Sequence, residues 1–363
     1  MKNTFGQALT VTLAGESHGK ALVVTLDGLT PGIPVDEAYI AARLALRRPA
    51  GRHSTKRREP DEFSIVSGVF NGRTTGTPLC IYIPNTDTNS RDYTSLASHF
   101  RPGHADYTAA LKYGGCQDYR GGGHFSGRIT AALVAAGAVA TAALESEGVR
   151  IGTHIAAIGG VSDRAFGSLE DEIPLLASDP FPVLDGEAKA AMEKAIDEAR
   201  EQGDSVGGIL ETAVIGLPGG LGEPWFDSVE SILSHLLFSI PAVKGVEFGS
   251  GFGFAALRGS EANDCFTLKD GAVKTVTNRN GGINGGITNG MPILFRTAIK
   301  PTPSISKEQK TLNFETKAEE ILSVGGRHDP CIVHRAAAVV NAVTALGLLD
   351  LLTVRYGNAK RGE

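Results

Sequence analysis

Cysteine is scarce and dispersed. Cys80, Cys116, Cys265 and Cys331 are the only four in 363 residues, and none forms a Cys-x-x-Cys pair. That spacing argues against a zinc site and a disulfide framework, so free thiols in a reducing, cytoplasmic compartment are expected. Strong net charge is also absent. A formal charge of −5 and a pI near 6.0 lie far from the pI above ~9 usual for nucleic-acid-binding domains. No charged n-region with an apolar run and cleavage site opens the chain, so no secretory leader is expected. The longest uncharged helical stretches, 129–144 and 336–349, fall short of the ~20 residues that cross a bilayer. No Gly-Lys-Ser/Thr follows a glycine loop, which removes a Walker site. No Gly-x-Gly-x-x-Gly follows a strand either, which leaves a Rossmann NAD site without support.

Glycine is abundant, with 46 residues, about twice the usual ~7% share. Many tight turns or close backbone approaches follow from that. Alternating apolar residues predict strands at 8–13, 21–26, 63–70, 79–83 and 209–215. Asp36 caps a predicted helix that Pro49 ends. An Ala/Val-rich run, 126–146, predicts a helix apolar on all sides and therefore buried, with Gly148 at its C-terminal end. A polar helix is expected from Asp185 to about Gln202, within a surface excursion spanning 161–205. Asp329-Pro330 supplies an N-cap and a first-turn proline for a last helix reaching about Val354. No βαβ rhythm and no repeat is present. The fold class is therefore α+β, in a single domain spanning 1–363.

Positive charge is concentrated locally. Between Arg43 and Arg58 lie seven Lys/Arg and His53 with no acid, a field suited to an anionic ligand. Glu59, Asp61 and Glu62 stand by as surface counter-charges for Arg57 and Arg58, whereas Arg47 and Arg52 flank a Pro-Ala-Gly bend suited to a binding loop. The segment 119–128, Tyr-Arg-Gly-Gly-Gly-His-Phe-Ser-Gly-Arg, runs into a helix N-terminus, where free N–H groups and the dipole favour an anion. Its alternative is a flexible connection merely capped by Ser126. His18 and His104 each sit in glycine-flanked loops and are the candidate proton-transfer groups. Asp329 is open to two readings, helix cap or chemical group. Asn280-Gly281-Gly282-Ile283-Asn284-Gly285-Gly286 permits close approach to a flat ligand, and a hairpin or bulge explains it as well. The residues alone describe an enzyme acting on a polyanionic small molecule, without a built-in metal site.

In order along the chain, the stretches 15–19, 47–61, 74–77, 101–108, 119–128, 242–249, 281–290, 300–304 and 325–331 resemble the chorismate synthase family. The resemblance implies a layer of helices between two antiparallel β-sheets, assembled as a homotetramer. It implies elimination of phosphate from 5-enolpyruvylshikimate 3-phosphate, dependent on reduced FMN without net redox change. His18 would protonate near the leaving phosphate, His104 would serve the flavin, and Asp329 would assist proton removal. Arg47, Arg52, Arg101 and Arg128 would bind the substrate's anionic groups. Ser126, Ala242, Gly285, Lys300, Pro301, Thr302, Pro303, Ser304 and Arg327 would contact FMN. Reduced FMN is expected from an external flavin reductase or another source, with NADPH-driven reduction by the chain itself left open. His124, Phe125, Gly127, Ile129 and Pro241 depart from the more usual family residues. The alternative function is another phosphate-handling enzyme acting on a polyanionic small molecule.

Overall fold

The computed structural model describes residues 2–49, 60–86, 98–269, 271–325 and 329–357. Arg52, Arg57, Arg58 and Arg327 lie outside the described residues. Two five-stranded sheets dominate, and every strand pair in them is antiparallel. The first runs in the order Thr4–Phe5, Thr10–Gly15, Ala21–Asp27, Leu79–Pro84, Ser64–Ser67. The second runs Val243–Phe248, Ile293–Ile299, Gly208–Ile215, Arg150–Ile158, Val161–Ser162. Period-two alternation decides which face each strand buries. Leu22, Val24 and Leu26 are fully buried, as are Leu79, Ile81 and Ile83 on the neighbouring strand, whereas Thr25 lies on the opposite face. Each such side chain contributes about 1.5–3 kcal/mol of transfer free energy.

The helices are α1 (Glu37–Arg47), α2 (Asp106–Tyr113), α3 (Thr130–Ser146), α4 (Leu169–Leu176), α5 (Gly186–Glu201), α6 (Val229–Ser239), α7 (Gly259–Ala262) and α8 (Val333–Tyr356). Helix α3 packs on the first sheet, α8 packs on the second, and the two helices pack on each other. Asp36 caps α1 by accepting from the Ala38 N–H, and Asp185 caps α5 by accepting from Glu187 and Ala188. Gly148, at φ 81°, closes α3 as its sequence position predicts.

Three sequence expectations need correction. With its leading 3-10 turn the first apolar helix spans Gly127–Ser146, and the last spans Val333–Tyr356. Both are long and apolar enough to cross a membrane, because the helices continue through Glu145 and Asp350, where the uncharged stretches stop. Their most apolar windows are 78% and 83% buried inside the molecule, so those faces are already occupied by core packing. Asp329 is not the cap of α8. The N-cap position belongs to Ile332, with no side-chain cap. The Pro330 carbonyl instead accepts from the Val206 N–H, and Cys331 is drawn into the core, which delays the helix by a turn. Burial pushes the Cys331 thiol up to about 12, and all four cysteines are free.

Two further contacts tie the layers together. A Cβ added at Gly137 of α3 would lie 2.4 Å from Ala342 Cβ and 2.5 Å from Ala342 Cα of α8, so only glycine permits this crossing. Asp350 of α8 is 2% exposed, and its carboxylate accepts from the backbone N–H groups of Gln7, Ala8 and Leu9 at 2.8–3.2 Å. An exposed Gly→Ala change in a helix normally stabilises by up to ~1 kcal/mol. Gly137→Ala is expected to destabilise instead, by about 1–3 kcal/mol, as overpacking does. The double variant Gly137→Ala/Ala342→Gly should regain little of that loss in urea denaturation, because the Ala342 Cα, 2.5 Å from the new Cβ, is still there. An unchanged midpoint in the single variant would show that the helices have room to separate.

Candidate active site

Three loops meet at one end of α3. Strand Thr10–Gly15 delivers the loop carrying His18, the turn before α2 carries His104, and the glycine run 121–123 lies against both. Ser17 N–H donates to the Gly123 carbonyl at 3.0 Å, and His124 Nδ1 approaches the Gly15 carbonyl at 2.8 Å. Gly121 and Gly122 have φ of 60° and 83°, where a side chain is disfavoured. Space excludes one at Gly121 and is tight at Gly122. A Cβ at Gly121 would lie 2.3 Å from the His18 ring, and one at Gly122 would lie 3.3 Å from His104 Nε2. Consecutive glycines of a single loop thus seat the two candidate histidines.

Beside them opens a cavity of about 890 Å³, within the range of small-molecule sites of ~300–1,000 Å³. Of the sequence-predicted residues, Arg47, Arg101, His104, Ser126, Arg128, Ala242, Lys300, Thr302, Pro303, Ser304 and Asp329 line it. His18 lies behind Gly121 and is 7% exposed. Pro301 is not on the wall. Gly285 sits at the exposed tip of the hairpin Ile283–Asn284/Ile287–Thr288, also off the wall. The departures His124, Phe125, Gly127, Ile129 and Pro241 all line the cavity. Among the described lining residues are seven cations, Lys2, Arg47, Arg101, Arg128, Lys244, Lys300 and Arg335, against one carboxylate, Asp329. This excess favours an anionic ligand.

Much of that charge is held in place by acids just off the wall, and here sequence reasoning missed residues that matter. Asp61, 3% exposed and read from the sequence as a surface counter-charge, lies between Arg47, at 2.8 Å, and Arg128. Burial pushes the Asp61 carboxyl up, but the two guanidinium groups outweigh it and hold it below the usual carboxylate range. Arg101 grips Asp106 through two guanidinium nitrogens at 2.7 and 2.8 Å and reaches Ser304 Oγ at 3.3 Å. Asp106 in turn is 2.6 Å from His104 Nδ1. Arg335 donates from Nε to the Arg47 carbonyl at 2.8 Å and pairs with Asp329. The only sequence signals for these acids were their nearness to Arg47 and His104 in the chain.

On the opposite wall, Lys300 Nζ donates to the Gly103 carbonyl, and Lys300 N–H donates to the carbonyl of Ala242. Ala242 itself is in the left-handed region at φ 75°, a strained placement for a residue with a Cβ. Ser126 caps the 3-10 turn Gly127–Ile129 by accepting from Arg128 N–H. Thr302 Oγ1 is buried and has no hydrogen-bond partner among the described residues.

The model of the chorismate synthase family matches residues 9–353. The chain is 49% identical to the chorismate synthase of Thermococcus gammatolerans over 96% of its length and 97% of that protein's. It is 46% identical to the chorismate synthase of Aeropyrum pernix over 98% and 93%. A solved structure titled as the crystal structure of chorismate synthase superimposes with a TM-score of 0.75 at 30% identity, covering 97% of this chain and 94% of that one. Matched along nearly its whole length in sequence and in three dimensions, the chain belongs to the chorismate synthase family.

Proposed function

We propose that the chain eliminates phosphate from 5-enolpyruvylshikimate 3-phosphate by the anti-1,4 route to give chorismate, the last common step of aromatic amino acid biosynthesis. The enzyme class is that of a carbon–oxygen lyase. The observation that carries the reading is the seating of His18 and His104 on adjacent glycines of one loop, beside a cavity with excess positive charge.

The residues present fit reduced FMN. Val11, Leu13 and Ile240 give the cavity an apolar wall for a flat ring system, and Lys300 and the Thr302 hydroxyl, which has no partner among the described residues, offer polar contacts to a nucleotide. In this reading Ser126, Ala242, Lys300, Thr302, Pro303 and Ser304 hold the cofactor, with Pro301 contributing from the same turn and Arg327, outside the described residues, assigned on the resemblance alone. The expectation for Gly285 rests on the resemblance alone. When bound, the reduced flavin supplies transient electron density without net oxidation. Arg47, Arg52, Arg101 and Arg128 orient the carboxylates and phosphate. His18 donates a proton near the departing phosphate oxygen, His104 exchanges a proton with the cofactor, and Asp329, fixed by Arg335, assists removal of the proton lost from the ring. Stiff ion pairs at Asp61, Asp106 and Asp329 keep these groups in position before the substrate arrives.

The same reading extends to the whole molecule. One hydrophobic cluster runs from Leu9 to Leu352 across both sheets, which supports a single catalytic domain and a sandwich of helices between sheets. Trp225, Phe226 and Phe252 are 85–89% exposed, and apolar surface of this kind supports assembly as a homotetramer. Four free thiols suit a reducing cytoplasm. Reduced FMN is taken to come from an external flavin reductase or another source, with NADPH-driven reduction by the chain itself left open.

An anaerobic assay with dithionite-reduced FMN tests the function directly. His18→Ala and His104→Ala should each lower kcat by about 10²–10⁴-fold, the usual contribution of a general acid or base. Near-normal rates in both would remove the proton-transfer assignment. Because Asp329 is paired with Arg335 and is not a cap, Asp329→Asn keeps a hydrogen-bonding side chain but loses the base. Its kcat should fall about 100-fold or more while FMN affinity, followed by flavin fluorescence, changes by less than about tenfold. Full activity in that variant would take Asp329 out of the chemistry. Raising ionic strength shortens the Debye length from about 10 Å at 0.1 M to about 3 Å at 1 M, so the substrate KM should rise with salt. Arg52→Ala should raise KM more than Arg58→Ala, and equal effects would mean that the basic run acts only as a diffuse field.

A further inference from the structure

His104 is held from one side only. Its Nδ1 lies 2.6 Å from Asp106 Oδ1, while among the described residues Nε2 makes no hydrogen bond and lies against Gly122, and the ring itself forms part of the cavity wall. The proton on Nδ1 can be assigned from its neighbours. Burial pushes the Asp106 carboxyl up, but hydrogen bonds from Arg101 and His104 outweigh this and hold it well below the usual carboxylate range. An ionised carboxylate only accepts, so a 2.6 Å contact to it requires hydrogen on Nδ1. Arg101 Nη2, 3.0 Å from the same Nδ1, is also a donor. That approach is therefore not a hydrogen bond, and it follows from both groups sharing Asp106. Among the described residues, the charged groups beside the imidazole are Asp106 and Arg101 from its own segment and Lys300, whose ammonium sits on the Gly103 carbonyl.

We infer that Asp106 is a positioning residue for His104, fixing the ring with Nδ1 protonated and Nε2 presented to the cavity, and that Arg101 steadies Asp106 in that role. The arrangement is that of a ligand whose second nitrogen is locked by a carboxylate, which sets both tautomer and ring orientation. Asp106 is also the first residue of α2 and accepts from the Arg101 N–H at 3.0 Å, so the turn and the histidine are organised by one side chain. The inference rests on the reading of His104 as a proton-transfer group.

The test has a spectroscopic arm and a kinetic arm. In protein labelled with ¹⁵N-histidine, the His104 signals are identified by their loss in His104→Ala. Neutral His104 should show a protonated Nδ1 and an unprotonated Nε2, and Asp106→Asn should shift the ring toward the other tautomer. A wild-type ring protonated at Nε2 overturns the inference without any variant having to fold. Kinetically, Asp106→Asn should lower kcat about 10–100-fold, as loss of such a supporting carboxylate does, with KM for the substrate changed less than about threefold. Added to His104→Ala it should cost nothing further, because it acts through the ring. Full additivity, or a raised KM with unchanged kcat, overturns the positioning role. Normal turnover in His104→Ala alone overturns the functional reading beneath it, and the two failures are distinguished by which single variant shows them.

Discussion

The contact between α3 and α8 at Gly137 is the constraint on which the rest of the molecule depends. Each helix is buried on nearly every face, so neither can shift without disturbing a sheet on its far side. Glycine at 137 lets the two backbones approach, and that approach sets how far apart the sheets stand. The cavity inherits the spacing. Thr130 and Leu133 of α3 and Ala336, Val339 and Leu346 of α8 form part of its wall, so the volume available to a ligand is fixed by packing deep in the core.

On this rigid frame the polar groups come as paired sets. Asp61 holds Arg47 and Arg128, Asp106 holds Arg101 and His104, and Arg335 joins Asp329 to the end of α1. A guanidinium already engaged by a buried carboxylate loses little further rotamer freedom when an anion arrives, whereas a solvated arginine must be ordered first. The acids also prevent the accumulation of unpaired cations in a partly buried place, which is costly in the absence of ligand. The surface excursion uses the same device away from the cavity. Buried His154 lies 3.0 Å from both Asp163 and Glu211, fastening that segment to the second sheet.

Local chemistry made much of this legible in the sequence. The caps at Asp36 and Asp185, the strand at 21–26 and the buried Ala/Val helix follow from side-chain preference and periodicity, which act over a few residues. The loops with His18, His104 and the three glycines announced themselves through composition. What escaped was set by distant contacts. Asp329-Pro330 has the form of a helix start, yet a hydrogen bond from Val206 and the burial of Cys331 move the start to Val333. Asp61 reads as a surface acid because nothing nearby in the chain reveals that Arg128, 67 residues away, will close over it. At Gly285 the sequence leaves a ligand platform and a hairpin both open, and the pairing of its flanking residues makes it the tip of a hairpin.

The carboxylate of Asp350 accepts from the backbone of residues 7–9 across more than 340 positions of chain. During synthesis at ~5–20 residues per second, the two partners leave the ribosome on the order of half a minute apart. The first sheet and α3 are complete by residue 146, but the side of α3 that meets α8 stays uncovered until almost the last residues emerge. The nascent protein therefore passes most of its translation with its first sheet formed and one face of an apolar helix uncovered. That face is covered only when the final helix arrives.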